Sequence, residues 1–406
     1  MNEVLPTTVR PVPRWLHAWV IFMACWTFVL LIVGQLVTTF RAGMADPIWP
    51  TEPWYLLNNY KFDFGYLVEH SHRILGWVLG AIAIVFTLGM WSTEPRRTSR
   101  WVGVVAILVL TLAYGNFHSE MRKQIDAENP VLPKPAIGAM ALAFGLVGML
   151  AISGIGGRIR GSGLRLLSVL ILVAIMIQGL LGGFRVRFDV WFGTDLAAIH
   201  GIFGQIVFAL IVSMSGLTAL RHYWPDEVDA VRYRMNTYAV VLFVLLLTQL
   251  VWGAQIRHAP TALMQRLHLL TAFAVMALAV WMLRSAFQTG EGRKALGFGG
   301  WLLAFLLVLQ VTLGVEAWMG KFGLGMMPEL EVLTKKDMAK AVTRTLHTLI
   351  GSGILATTAA LIVRTGVVLT SRLLLLPDPT ASNRSNAFGR MQEPALIGGP
   401  QQGVTS

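Results

Sequence analysis

EHSHRILGWVLGAIAIVFTLGMW, residues Glu69–Trp91, holds both the fold class and the functional question. From Ile74 onward the stretch is almost wholly apolar, as a membrane-crossing helix of about 20 residues requires. Its first turn, however, carries Glu69, His70, His72 and Arg73. Ionisable groups are costly in hydrocarbon and are retained there mainly where they serve a function.

Composition extends the membrane reading to the whole chain. Of 406 residues, 55% are hydrophobic and only 13% charged, and mean hydropathy is +0.62. A soluble protein of this size carries far more charge on its surface. The net charge of +12 does not point to nucleic acid, because the basic residues sit in short loops between apolar runs, where they set topology. Cys25 is the single cysteine, which leaves no intramolecular disulfide and no thiolate metal site. It reads as a small core residue.

Ten apolar runs read as membrane helices, near residues 17–38, 67–91, 101–117, 136–155, 164–184, 197–220, 237–256, 262–284, 296–318 and 341–364. The expectation is an all-α polytopic membrane protein of two pseudo-repeated four-helix bundles with an inserted helical hairpin. The first bundle takes residues 17–100 and 156–235, the hairpin 101–155 and the second bundle 236–372, after an N-terminal segment 1–16. The first run is too long for a cleavable signal core and lacks a small-residue cleavage site, so it is read as retained. Residues 373–406 are polar and rich in Pro, Gly and Ser, and read as a disordered tail.

Loop charge sets the expected orientation. Arg96, Arg97 and Arg100 follow the second run, and Arg158, Arg160 and Arg165 flank the junction of the fourth and fifth. Arg221, Arg232 and Arg234 follow the sixth, and Arg284, Arg293 and Lys294 the eighth. Opposite loops are leaner, except the last, where Lys321, Lys335 and Lys336 are balanced by Glu329, Glu331 and Asp337. Positive residues stay inside, which puts both termini in the cytoplasm and Glu69 and His72 near the outer face.

Four helix pairs repeat one pattern. The first member ends with a Gln and a nearby Gly, at Gln35, Gln178, Gln249 and Gln310. The second carries His72, His200, His268 or His347, followed four residues on by Gly76, Gly204, Ala272 or Gly351 on the same helical face. Neutral imidazole is a common metal ligand, and a small neighbour leaves room for a flat macrocycle. Two axial nitrogens per iron make two bis-histidine haem sites. Zinc fits less well, since no Cys or carboxylate set accompanies all four. The position three before each His is Glu69, Ala197, Gln265 and Arg344, so only the first half offers a carboxylate beside the site. Glu69 is therefore read as doing chemistry next to His72, the alternative being that it only pairs with Arg73 or Arg41. His70 points elsewhere and reads as an interfacial or loop-contacting group. His118 sits where the third run leaves the membrane, and His17, His222 and His258 read as interfacial.

These features resemble the haem A synthase family, whose members are built from two similar four-helix bundles with histidines in alternate helices. Its Glu-x-x-His-Arg motif is matched by Glu69-His70-Ser71-His72-Arg73, and TTFRAGMADPIWPTEPW looks like the outer loop of one bacterial branch. IQGLLGGFRVRF followed by AAIHGIFGQ looks like the family's Gln-Gly-x-Leu-Gly-Gly turn and next His helix. The resemblance implies oxidation of a haem O ring methyl to formyl through successive hydroxylations, giving haem A for terminal oxidases. It implies that His72 and His200 flank the haem O substrate, that Glu69 is catalytic, and that His268 and His347 ligate a haem b for electron transfer. Arg41, Arg73, Arg185 and Arg187 are candidate haem propionate partners, the alternative being interfacial anchors. The outer-loop cysteine pair of some members is absent, and the hairpin departs from the eight-helix plan. Three roles are open for that hairpin: covering a lipid-facing side, contacting a partner such as the haem O synthase or an oxidase assembly protein, or displacing the usual interface between the bundles.

Two other classes compete. A di-haem b-type cytochrome that only relays electrons needs the four histidines but not Glu69. A proton-coupled transporter calls for broken helices and polar groups near the midplane, whereas these histidines lie near one face. A haem O synthase of the prenyltransferase kind calls for Asp-rich diphosphate motifs, which the sequence lacks.

Overall fold

The computed structural model describes residues 12–46, 48–58, 63–124, 133–155, 163–188, 193–220, 230–322 and 337–366. Among these there are helices and no strands. They are α1 (Arg14–Thr39), α2 (Pro53–Asn58), α3 (Phe64–Ser92), α4 (Arg97–Arg122), α5 (Lys134–Ile155), α6 (Gly163–Arg187) and α7 (Asp195–Leu220). There follow α8 (Ala230–His258), α9 (Ala262–Phe287), α10 (Gly290–Leu296), α11 (Phe298–Phe322) and α12 (Met338–Thr365). Nine of the described helices are long and apolar enough to cross a membrane, and α5 is a shorter apolar helix. The chain is an all-α, multi-pass membrane protein. The tail expected to be disordered, His222 and most of the loop between α11 and α12 lie outside the described residues.

Packing follows the apolar pattern. In the first half α1 packs on α3 and α7, and α6 closes the ring against α3 and α7. Leu16, Met23, Phe86, Trp91, Ile171 and Met214 are buried at its centre. In the second half α8 packs on α9 and α12, and α11 on α12, around Met235, Leu242, Met282, Leu303 and Leu355. The halves meet where α12 lies against α7 and α1. The α4–α5 hairpin packs on α3 and α6 only at the edge of the first half.

Several helices run past their apolar runs because their polar ends find backbone partners. Asn236 Nδ2 donates to Ile362 O at 3.1 Å and Arg232 Nη1 to Arg364 O at 2.9 Å, so α8 begins ahead of the expected residue 237. The ninth run is likewise split. Gly297, at φ 57°, ends α10 with its N–H on Arg293 O at 2.8 Å, and α11 starts afresh at Phe298. A positive φ of this kind favours glycine.

Candidate functional site

At one end of the molecule, four glycines each receive an imidazole. A Cβ on Gly34 would lie 2.8 Å from His72 Cε1, on Gly182 3.0 Å from His200 Cε1, on Gly253 3.3 Å from His268 Cε1 and on Gly314 3.1 Å from His347 Cε1. Helices α1, α6, α8 and α11 thus present a bare backbone to a ring on α3, α7, α9 and α12. The four rings form two facing pairs. His72 and His200 have ring centres 6.3 Å apart with planes at 82°, and His268 and His347 6.4 Å apart at 69°. A metal bonded to two opposed imidazole nitrogens at about 2 Å each sets the ring centres roughly 6 Å apart.

The glycines also fix the register of the repeat. Four residues before Gly182, Gly253 and Gly314 stand Gln178, Gln249 and Gln310. Their amide nitrogens donate to Nε2 of His200, His268 and His347 at 3.3, 3.2 and 3.4 Å, and their buried Oε1 atoms have no hydrogen-bond partner. Four before Gly34 stands Leu30, not Gln35. Each ring faces the backbone of Leu30, Gln178, Gln249 or Gln310, while its buried Nδ1 lacks a partner at full hydrogen-bond geometry. Gln35 is thus out of the repeat expected from sequence: it follows Gly34 directly and its side chain turns toward the second half. His72 alone has no glutamine on its ring.

Glu69 is 3% exposed and fully engaged. Oε1 accepts from Arg73 Nη2 at 2.6 Å, and Oε2 accepts from the backbone N–H of Asp46 at 2.8 Å. Arg73 also donates to the carbonyls of Asp46 (2.6 Å) and Ile48 (2.7 Å), and His70 Nε2 lies 2.9 Å from Asp46 Oδ2. The pairing set against a catalytic role is therefore present, within a larger clamp that pins Asp46 and Ile48 to α3. His70 contacts the loop that holds Asp46, as its register required. Asp46 was the missed member; its AGMAD context gave no sign that a buried carboxylate would return to α3.

The other expected residues divide. Arg41 is exposed at the end of α1, Arg185 lies against Gly43, and Arg187 Nη2 donates to Gln124 O at 2.9 Å. A Cβ on Gly76 meets nothing within 4 Å, so this glycine faces open space. Gly204 and Gly351 are instead backed by the amides of Gln178 and Gln310, at 2.8 and 3.3 Å from an added Cβ. His118 is drawn into an aromatic cluster with Trp49, Trp77 and Tyr114, and neither ring nitrogen has a hydrogen-bond partner. A cleft of about 110 Å³ between α11 and α12 is lined by Glu316, Ala317, Ala339, Lys340, Thr343 and Arg344.

Among the described residues no group of three or more His, Cys, Asp or Glu is placed to hold a metal ion. The chain matches no family model, no curated protein and no solved structure. Chemically, the arrangement offers two facing imidazole pairs and, one helical turn from the first pair, the buried carboxylate of Glu69.

Proposed function

We propose that the chain is a haem A synthase that oxidises a methyl group of haem O to formyl. The observation that carries this reading is the asymmetry of the two facing imidazole pairs: both have the separation of axial ligands, and only the first has a buried carboxylate one turn away. The residues fit a macrocycle. The glycine cradles hold the rings side-on, Gly76 faces free space, and the Gln-to-Nε2 bonds occupy the lone pairs that iron would take.

In this reading His72 and His200 hold the substrate haem O, and His268 and His347 hold a resident haem b, which supplies one-electron acceptance when bound. Each hydroxylation, with water as the oxygen donor, would break one methyl C–H bond, form one C–O bond and release two electrons and two protons, the electrons leaving one at a time through the second site to an external acceptor. Glu69, positioned by Arg73 and the Asp46 N–H, offers a carboxylate for the developing positive charge and for a leaving proton. Gln178 orients the His200 ring, and the 42–51 loop closes the site. Arg41 and Arg185 supply positive charge for propionates. The reading places the chain in a bacterial cell membrane with both termini cytoplasmic, in reach of a haem O-supplying enzyme.

A second reading, a di-haem b-type cytochrome relaying electrons, is favoured by one observation: both oxygens of Glu69 are already taken. Co-expression with a haem O synthase in a host lacking haem A separates the two. Haem extraction and mass spectrometry are expected to show haem A or its hydroxylated precursor. Recovery of haems B and O alone, from protein with a bis-imidazole spectrum, would leave the relay.

A further inference from the structure

We propose that Arg257 is a fixed cation shared by the two imidazole-pair sites, raising the affinity of both for an electron. The inference rests on the haem reading above. Arg257 stands at the end of α8, four residues past the Gly253 cradle, and its guanidinium crosses to α1 and α12. Nη1 donates to Gln35 Oε1 at 2.6 Å and to Thr348 Oγ1 at 3.1 Å. Nη2 donates to Gln35 O at 3.0 Å and to Thr39 Oγ1 at 2.6 Å. Gln35 follows the Gly34 that cradles His72, and Thr348 follows His347. One side chain thus touches the neighbour of the His72 cradle glycine in the first half and the neighbour of His347 in the second.

Its terminal donors are all used but its charge is not balanced. A guanidinium has four terminal N–H donors, and all four go to neutral acceptors. Among the described residues no carboxylate lies within ion-pair distance of it. The charged group it senses is Arg344, of like sign. A half-buried cation without a carboxylate partner is costly, and a plain clamp between α1, α8 and α12 needs only neutral hydrogen-bonding groups. The balancing negative charge comes from the sites on either side, as macrocycle carboxylates and as the electron itself. At a half-buried junction that attraction is only partly screened, so both sites gain reducing equivalents more readily and pass them across the junction.

The test is a spectroelectrochemical titration of the purified full chain, with haem content measured alongside. Arg257→Gln is expected to keep both haems and to lower both midpoint potentials. Arg257→Lys keeps the charge and is expected to stay near the parent values. Unmoved potentials in a fully loaded Arg257→Gln protein, a shift at one site only, or a Lys variant displaced as far as the Gln variant overturns the proposal. If Arg257→Gln does not fold, Thr39→Val with Thr348→Val decides. It removes two bonds and keeps the charge, and near-parent potentials are expected, while a drop at both sites assigns the effect to the clamp. Unaltered protein that purifies without haem fails the haem reading first; two haems indifferent to Arg257 fail only this inference.

Discussion

Single side chains decide the chemistry of the histidine end. Glu69 sits in a clamp of Arg73 and the Asp46 N–H. Glu69→Gln keeps an acceptor for Arg73 and removes the charge. General acid–base groups contribute about 10²–10⁴-fold, so haem A formation is expected to fall by roughly that factor while haem stays bound. A normal yield from the variant, measured by haem extraction, would remove Glu69 from the chemistry. The glycines give a sharper test of geometry. Gly253→Val puts a branched side chain where a Cβ alone already stands 3.3 Å from His268. The second-site low-spin spectrum is expected to be lost, as with His268→Ala, with the first-site signal retained. Gly76→Leu, by contrast, meets no protein atom within 4 Å of its Cβ. Its fold is expected to be unchanged and its first-site haem affinity reduced; equal affinity would place the macrocycle elsewhere.

At the scale of elements, the ends of helices carry much of the specificity. Glu94, 1% exposed, follows α3, and its carboxylate pairs with Arg165 Nη1 on α6 at 2.6 Å. Arg165 Nη2 adds a bond to Thr93 O, and Arg100 Nε caps Glu94 O from α4. Removing one partner of a buried pair costs about 3–5 kcal/mol, because the other charge is left alone. Arg165→Leu is expected to lose about that much in detergent unfolding, and Glu94→Leu with Arg165→Leu to recover most of it. Equal loss in single and double variants would reduce the pair to a surface contact. Such links explain what the sequence allowed to be read. Hydrophobic run length set the existence of the helices, and the spacing of the four histidines placed them at one depth. The register of α1 was not legible, because Gln35 beside Gly34 imitates the Gln of the other pairs. Only the position of the His72 ring shows that Leu30 fills that place. Asp46 and Arg257 were missed for a related reason: their partners lie 23 to 27 and 91 to 222 residues away.

On the scale of the whole molecule, the α4–α5 hairpin is the feature that the repeat does not require. Its contacts are one-sided. Tyr114 Oη donates to Met176 O at 3.2 Å on α6, Arg122 pairs with Glu52 at 3.2 Å and bonds Pro50 O, and Phe117 and Met121 bury Trp49 with Leu180. It supports the loop that carries Asp46, and hence the Glu69 clamp, while packing on none of α8 to α12. Read as two cancelling crossings, α4 and the shorter α5 can be removed together, and excision of residues 97–162 is expected to leave the remaining topology unchanged. The shortened chain is expected to retain the His268–His347 spectrum and to lose turnover through a loosened first site. Spectra recorded separately for the two sites check this. Loss of the second-site signal together with the first would show that the hairpin stabilises both halves, and unchanged turnover would show that the 42–51 loop holds Glu69 without it.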